Sequence, residues 1–82
     1  MPIYIANLAY EVAEEDLKRV FSQYGTVQNI QFPTNQQTGK SRGFALVAMR
    51  TYAEEVSAIQ MMRGSEWMGR ILKVNRATIS LS

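Results

Sequence analysis

Short apolar runs alternate with polar ones along the chain, and the spacing inside each run indicates the element it builds. Residues 3–8, IYIANL, are β-branched and aromatic and read as a strand. Alternation sends Ile3 and Ile5 to one face and Tyr4 and Ala6 to the other. In residues 14–24, EEDLKRVFSQY, Leu17, Val20, Phe21 and Tyr24 recur at helical spacing and form one apolar face. Acids crowd the start of this helix, where the dipole favours them, and Gly25 is the expected stop. Ala13 stands at the cap position, where a missing Ser or Thr costs about 1 kcal/mol. Residues 27–32, VQNIQF, read as a second strand with Ile30 and Phe32 inward and Asn29 and Gln31 outward.

Residues 33–41, PTNQQTGKS, have the chemistry of a polar turn. A third strand over residues 42–49 places Phe44, Leu46 and Ala48 on one face and Ala45, Val47 and Met49 on the other. Thr51 and Glu54 make a capping box that opens a second helix. That helix turns Val56, Ile59 and Met62 inward and ends at Gly64. Residues 70–77 read as the last strand, with Leu72 and Val74 inward and Lys73 and Asn75 outward. Residues 78–82 form a short tail with no assigned element.

The order β-α-β-β-α-β predicts an α+β, ferredoxin-like sandwich: a four-stranded antiparallel sheet with both helices on one face. We expect one domain over residues 1–82, with its core at 3–77. The second sheet face has nothing in the chain to cover it. It carries Tyr4, Ala6, Asn29, Gln31, Phe44, Leu46, Ala48, Lys73 and Asn75. Strands one and three are neighbours in this arrangement, so Tyr4 and Phe44 are expected close together.

Composition narrows the chemistry. At 46% hydrophobic and 20% charged the chain is an ordinary globular sequence, which excludes a disordered tail. It has no Cys and no His, which removes disulfides, thiolate zinc sites and the commonest general bases and metal ligands. No cofactor, no metal and no enzymatic activity are expected. No apolar run approaches the ~20 residues of a membrane span. MPIYIANLAYE lacks the basic and apolar regions of a signal peptide. The expectation is an intracellular monomer, cytoplasmic if bacterial, with no membrane contact.

The net charge is only +2, so the placement of charge says more than its sum. Six of the seven acids cluster around Glu11–Asp16 and at Glu54–Glu55. Between Gln23 and Tyr52 there are only basic charges, at Lys40, Arg42 and Arg50; beyond Trp67 there are only Arg70, Lys73 and Arg76. Base segregated from acid invites a polyanion.

Two motifs sharpen this. Arg42-Gly43-Phe44-Ala45-Leu46-Val47-Ala48-Met49 matches five of the seven specified positions of Lys/Arg-Gly-Phe/Tyr-Gly/Ala-Phe-Val-x-Phe/Tyr. Ile3-Tyr4-Ile5-Ala6-Asn7-Leu8 is similar to the shorter signature that accompanies it. With both motifs on the expected strands, the chain resembles the RNA recognition motif (RRM) family from Ile3 to about Ala77. QFPTNQQTGKSRGF and SEWMGRILKVNRA most resemble the small single-RRM RNA-binding proteins of cyanobacteria, relatives of plant glycine-rich ones. No Gly-rich run of the kind some of those relatives carry occurs here.

The resemblance implies single-stranded RNA as partner, with single-stranded DNA weaker. Tyr4 would stack a base, Phe44 would pack on a ribose or base, and Arg42 would pair with a phosphate. Backbone and polar groups of Asn29, Gln31, Asn75, Arg76 and Ala77 would read base edges, and Lys40, Arg70 and Lys73 would add salt-sensitive attraction. Leu46 replaces the third ring and offers dispersion without stacking, which costs about one such contact, or ten- to a hundredfold in affinity. Ala6 stands where Gly is common, and Met49 replaces an inner aromatic with an adaptable side chain.

Leu46 and Ala48 make the open face apolar, which would suit a protein or peptide partner. Acylphosphatase-like chemistry on this fold would need a phosphate-cradling loop, and none is evident. TNQQTGKS ends like a P-loop, but position 34 is Thr where Gly is needed, and a strand follows where a helix should. Trp67 reads as a packing residue. Glu14, Glu15, Asp16, Glu54 and Glu55 read as servants of the helix dipoles.

Overall fold

The computed structural model describes residues 2–77, so the 78–82 tail lies outside the described residues. Its elements are β1 (Ile3–Ala6), α1 (Glu14–Phe21), β2 (Val27–Gln31), β3 (Phe44–Met49), α2 (Tyr52–Met62), β4 (Glu66–Trp67), β5 (Arg70–Ile71) and β6 (Lys73–Arg76). Four strands pair antiparallel in the order β2-β3-β1-β6. The expected α+β sandwich is present. Ile3, Ile5, Ala45, Val47 and Val74 point from the sheet toward Leu17 and Phe21 of α1 and Ala58 and Met62 of α2. Burial of these side chains supplies most of the driving force for the fold.

Several boundaries differ from the sequence reading, each for a local reason. β1 ends at Ala6 because Asn7 takes a left-handed backbone, φ +65, which Asn tolerates better than most residues. α1 ends at Phe21, short of Gly25. The Ser22 hydroxyl donates to Lys18 O at 2.6 Å, and Gln23 and Tyr24 tighten into three-residue turns onto Val20 and Phe21. Ala13 has no side-chain acceptor for the helix start, but Asp16 reaches back to its N–H at 2.9 Å, so half of a capping box survives. The Thr51–Glu54 box is complete, at 3.2 and 3.1 Å. Gln28 is the extra residue of a bulge: Val27 lies opposite Met49 and Asn29 opposite Ala48. The bulge lets Val27 pack on the core while Asn29 and Gln31 face out.

The last strand is split. β5 pairs with β4 in a hairpin whose two-residue turn, Met68 at φ +51 and Gly69 at φ +82, is of the type that suits tight hairpins. Only β6 joins the main sheet. Trp67 packs half-buried against the core, as expected of a packing residue.

α2 also presents an unexpected inward face. Glu55, Ala58 and Met62 are buried, while Val56 is only half-buried. Glu55 therefore does more than complement the helix dipole. Its carboxylate, on a residue only 4% exposed, pairs with Arg76 at 3.0 Å.

Candidate nucleic-acid interface

The face away from the helices is built from alternate residues of four strands. Tyr4 stands opposite Leu46 on one side and Asn75 on the other; Ala6 stands between Phe44 and Lys73. Tyr4 and Phe44 are thus diagonal neighbours. Their ring centroids lie 6.1 Å apart with planes tilted by 34°, inside the range of a favourable aromatic pair. Both residues are half-buried, with part of each left to solvent. The small Ala6 beside Phe44 keeps that flank low.

Leu46 lies between Tyr4 and Gln31 and is 6% exposed. The dispersion contact expected from it has almost no surface to use. Leu46→Phe should raise affinity for single-stranded RNA about tenfold, the value of one stacking contact, in a fluorescence-anisotropy titration. Equal or weaker binding would show that this position does not meet a base.

Asn29, Gln31, Lys73 and Asn75 are exposed on this face. Asn75 is already engaged: its Oδ1 accepts from Arg63 Nη2 at 2.8 Å, and Arg63 Nε donates to Val74 O at 3.3 Å. Arg63, just past α2, therefore reaches the rim of the open face. Its charge was visible in the sequence, but nothing in the local pattern tied it to β6.

Of the groups expected from Arg76, the side chain is turned away from the open face. The residue stands opposite Ile3, a core position, so alternation turns its side chain to the helix layer. There it pairs with Glu55 and lies over the Tyr52 ring at 4.5 Å. Its guanidinium is not on the open face. Arg70 is held by Asn7 Oδ1 through Nε and Nη2, at 3.2 and 3.0 Å.

Lys40 and Arg42 sit on an ordered hairpin end. Asn35 Oδ1 accepts from the backbone of Gln37 and Thr38 at 2.8 and 3.1 Å, and Thr34 pairs with Ser41. Arg42 borders a shallow cleft lined by Thr34, Asn35, Gln36 and Gln37. Gly43 follows at φ +93, a backbone that a residue with a Cβ adopts only under strain. It carries the chain from this loop into β3 and explains the Gly of the longer motif. β3, a strand, follows the Gly-Lys-Ser run, so the P-loop resemblance has no structural counterpart.

Among the described residues, the ion pairs are Arg19–Asp16, Arg50–Glu54 and Arg76–Glu55. Lys40, Arg42 and Lys73, which border the open face, have no carboxylate partner among the described residues. The described residues contain no cluster of three or more His, Cys, Asp or Glu able to hold a metal. None of the described helices is long and apolar enough to cross a membrane.

A split βαβ domain whose second sheet face no described helix covers, with a central ring pair and a rim of amides and cations, is a platform of the kind that takes unstacked bases. The chain belongs to the RNA recognition motif family, whose model matches residues 3–73. It is 53% identical over 77 residues to a Nostoc sp. protein provisionally named RNA-binding protein RbpE, covering 94% of this chain and 78% of that one. A chloroplast 33 kDa ribonucleoprotein of Nicotiana sylvestris is more distant, at 37% over 73 residues, with coverage of 89% and 22%. Among solved structures, the Rna15 RRM with bound RNA (GU) superimposes with a TM-score of 0.91 at 27% identity, covering 95% of this chain and 83% of that one. RNA Binding Protein PG1 gives 0.91 at 39%, covering 100% and 99%. The resemblance to cyanobacterial RNA-binding proteins, with plant proteins further off, is confirmed. These relatives are named for RNA binding, in line with the expectation that the chain is not an enzyme.

Proposed function

We propose that the chain is a single RNA-binding domain, with its core at residues 3–77, that holds single-stranded RNA by stacking on the open sheet face. The observation that carries this reading is the Tyr4–Phe44 pair, two half-open rings 6.1 Å apart on a rigid sheet. Tyr4 takes the face of one base, and Phe44 packs on the next base or its ribose. Arg42, Lys40 and Lys73 meet phosphates. Asn29, Gln31 and Asn75, the last with Arg63, read base edges, and Arg76 and Ala77 contribute backbone groups only. Single-stranded DNA binds more weakly, because 2′-hydroxyl contacts are lost. The protein acts as an intracellular monomer.

A peptide-binding face is not favoured. That reading rested on the apolar surface of Leu46 and Ala48, and of these Leu46 is 6% exposed and Ala48 half-buried.

The test is anisotropy of a labelled single-stranded RNA of about ten nucleotides and random sequence, at two salt concentrations. Saturable binding should weaken as salt rises, with a slope reporting about two or three phosphate contacts. An RNA duplex should compete poorly. Absence of binding at low salt, or equal competition by duplex, would overturn the proposal.

A further inference from the structure

The open face does not stop at the end of the sheet. We infer that Tyr10 and Arg70 form a second stacking station, which takes one further nucleotide of single-stranded RNA beyond those held by Tyr4 and Phe44. This rests on the RNA-binding reading above and extends it to a loop outside both sequence motifs.

Tyr10 lies in the β1–α1 loop and is 57% exposed. An aromatic ring this open forgoes the gain of burial and is available to a ligand. The Arg70 guanidinium stands 6.0 Å from its ring centroid, within reach of a cation–π contact. Arg70 is not a loose surface cation. Two of its N–H groups bond Asn7 Oδ1, and Asn7 is itself fixed by its Nδ2 bond to Ile71 O at 2.8 Å and by its left-handed backbone. A guanidinium has five N–H donors, so three remain for a phosphate.

The station is continuous with the sheet platform. Asn7 directly follows Ala6, which stands between Phe44 and Lys73. The loop is pinned to the start of β3 by Leu8 N to Gly43 O at 2.9 Å and Ser41 N to Tyr10 O at 3.3 Å. A strand leaving Phe44 at this end of the sheet passes Lys73 and Arg42 and meets Arg70 and Tyr10. Glu11, next to Tyr10, forms no ion pair with Arg70 or Lys73 among the described residues, so the cations keep their charge for the ligand. The pair also offers a physical compensation for the ring lost at Leu46: the third stacking surface has moved off the sheet.

The test measures anisotropy with random-sequence single-stranded RNAs graded from about four to about ten nucleotides. Wild type should gain affinity with length. In Tyr10→Ala the last step of that gain, about tenfold, should be missing, while the shortest RNAs bind within about twofold of wild type. Tyr10→Phe should behave as wild type, because stacking needs the ring and not the hydroxyl. Phe44→Ala should lose affinity at every length. Thermal unfolding of Tyr10→Ala should stay near wild type, given the exposure of the ring. If Tyr10→Ala follows wild type at every length, or Tyr10→Phe fails as Tyr10→Ala does, the station is overturned while the sheet platform stands. If wild type binds no RNA, the functional reading itself falls.

Discussion

Phe44→Ala should cut affinity for single-stranded RNA about ten- to a hundredfold and leave the protein folded. The range follows from about 1–3 kcal/mol per stacked base, with each 1.4 kcal/mol worth tenfold. Tyr4→Ala should cost a similar amount. The two rings are in van der Waals range of one another, at 6.1 Å between centroids, so the double variant should lose less than the product of the single losses. Tyr4→Phe should bind within about threefold of wild type, because the ring face, not the hydroxyl, carries the stack. Removing either ring also forfeits part of an aromatic pair worth about 0.5–1.5 kcal/mol, so circular dichroism must first show each variant folded. Affinity unchanged in folded Tyr4→Ala and Phe44→Ala would mean that RNA, if bound, does not use this face.

The largest effect on stability should come from Arg76→Ala. Glu55 is 4% exposed, and Arg76 pairs with it at 3.0 Å while lying over Tyr52 at 4.5 Å. Taking away the cation leaves a buried carboxylate without this partner, at a cost of about 3 kcal/mol. A domain this small has about 5–10 kcal/mol in total. The melting temperature should fall by about 12–24 °C. Arg76→Ala combined with Glu55→Gln should recover part of the loss, because the buried charge is gone. RNA affinity of the folded Arg76→Ala protein should change less than about threefold, since the side chain faces the helix layer. A melting temperature close to wild type would show that the buried pair contributes nothing net. A large loss of RNA affinity in the folded variant would restore Arg76 to the interface.

The contrast between Arg76 and Phe44 shows where sequence reasoning reaches. Phe44 is placed by alternation within one strand and by a glycine-preceded motif, both local. Arg76 lies on a strand whose alternation was equally legible, but its neighbours in sequence are Asn75 and Ala77, and its partner is 21 residues away on a helix. Two charges separated by that distance are recognised as a pair only after the helix has packed. Arg63 was missed for the same reason: its bonds to Val74 and Asn75 cross from a helix end to a sheet edge.

The order of the two helices and the four main-sheet strands, the inward and outward faces of those strands, and the family were legible in the residue order alone. Each of these follows from periodicity or from motifs a few residues long, which are set by backbone geometry. Packing of the assembled fold is what covers Leu46, turns Val27 to the core at the Gln28 bulge and sets Arg76 against Glu55. It also brought Asn7, Tyr10 and Arg70 together at one end of the sheet. Burial and pairing depend on which chain segments meet across the fold, and the spacing of residues within a segment does not encode that.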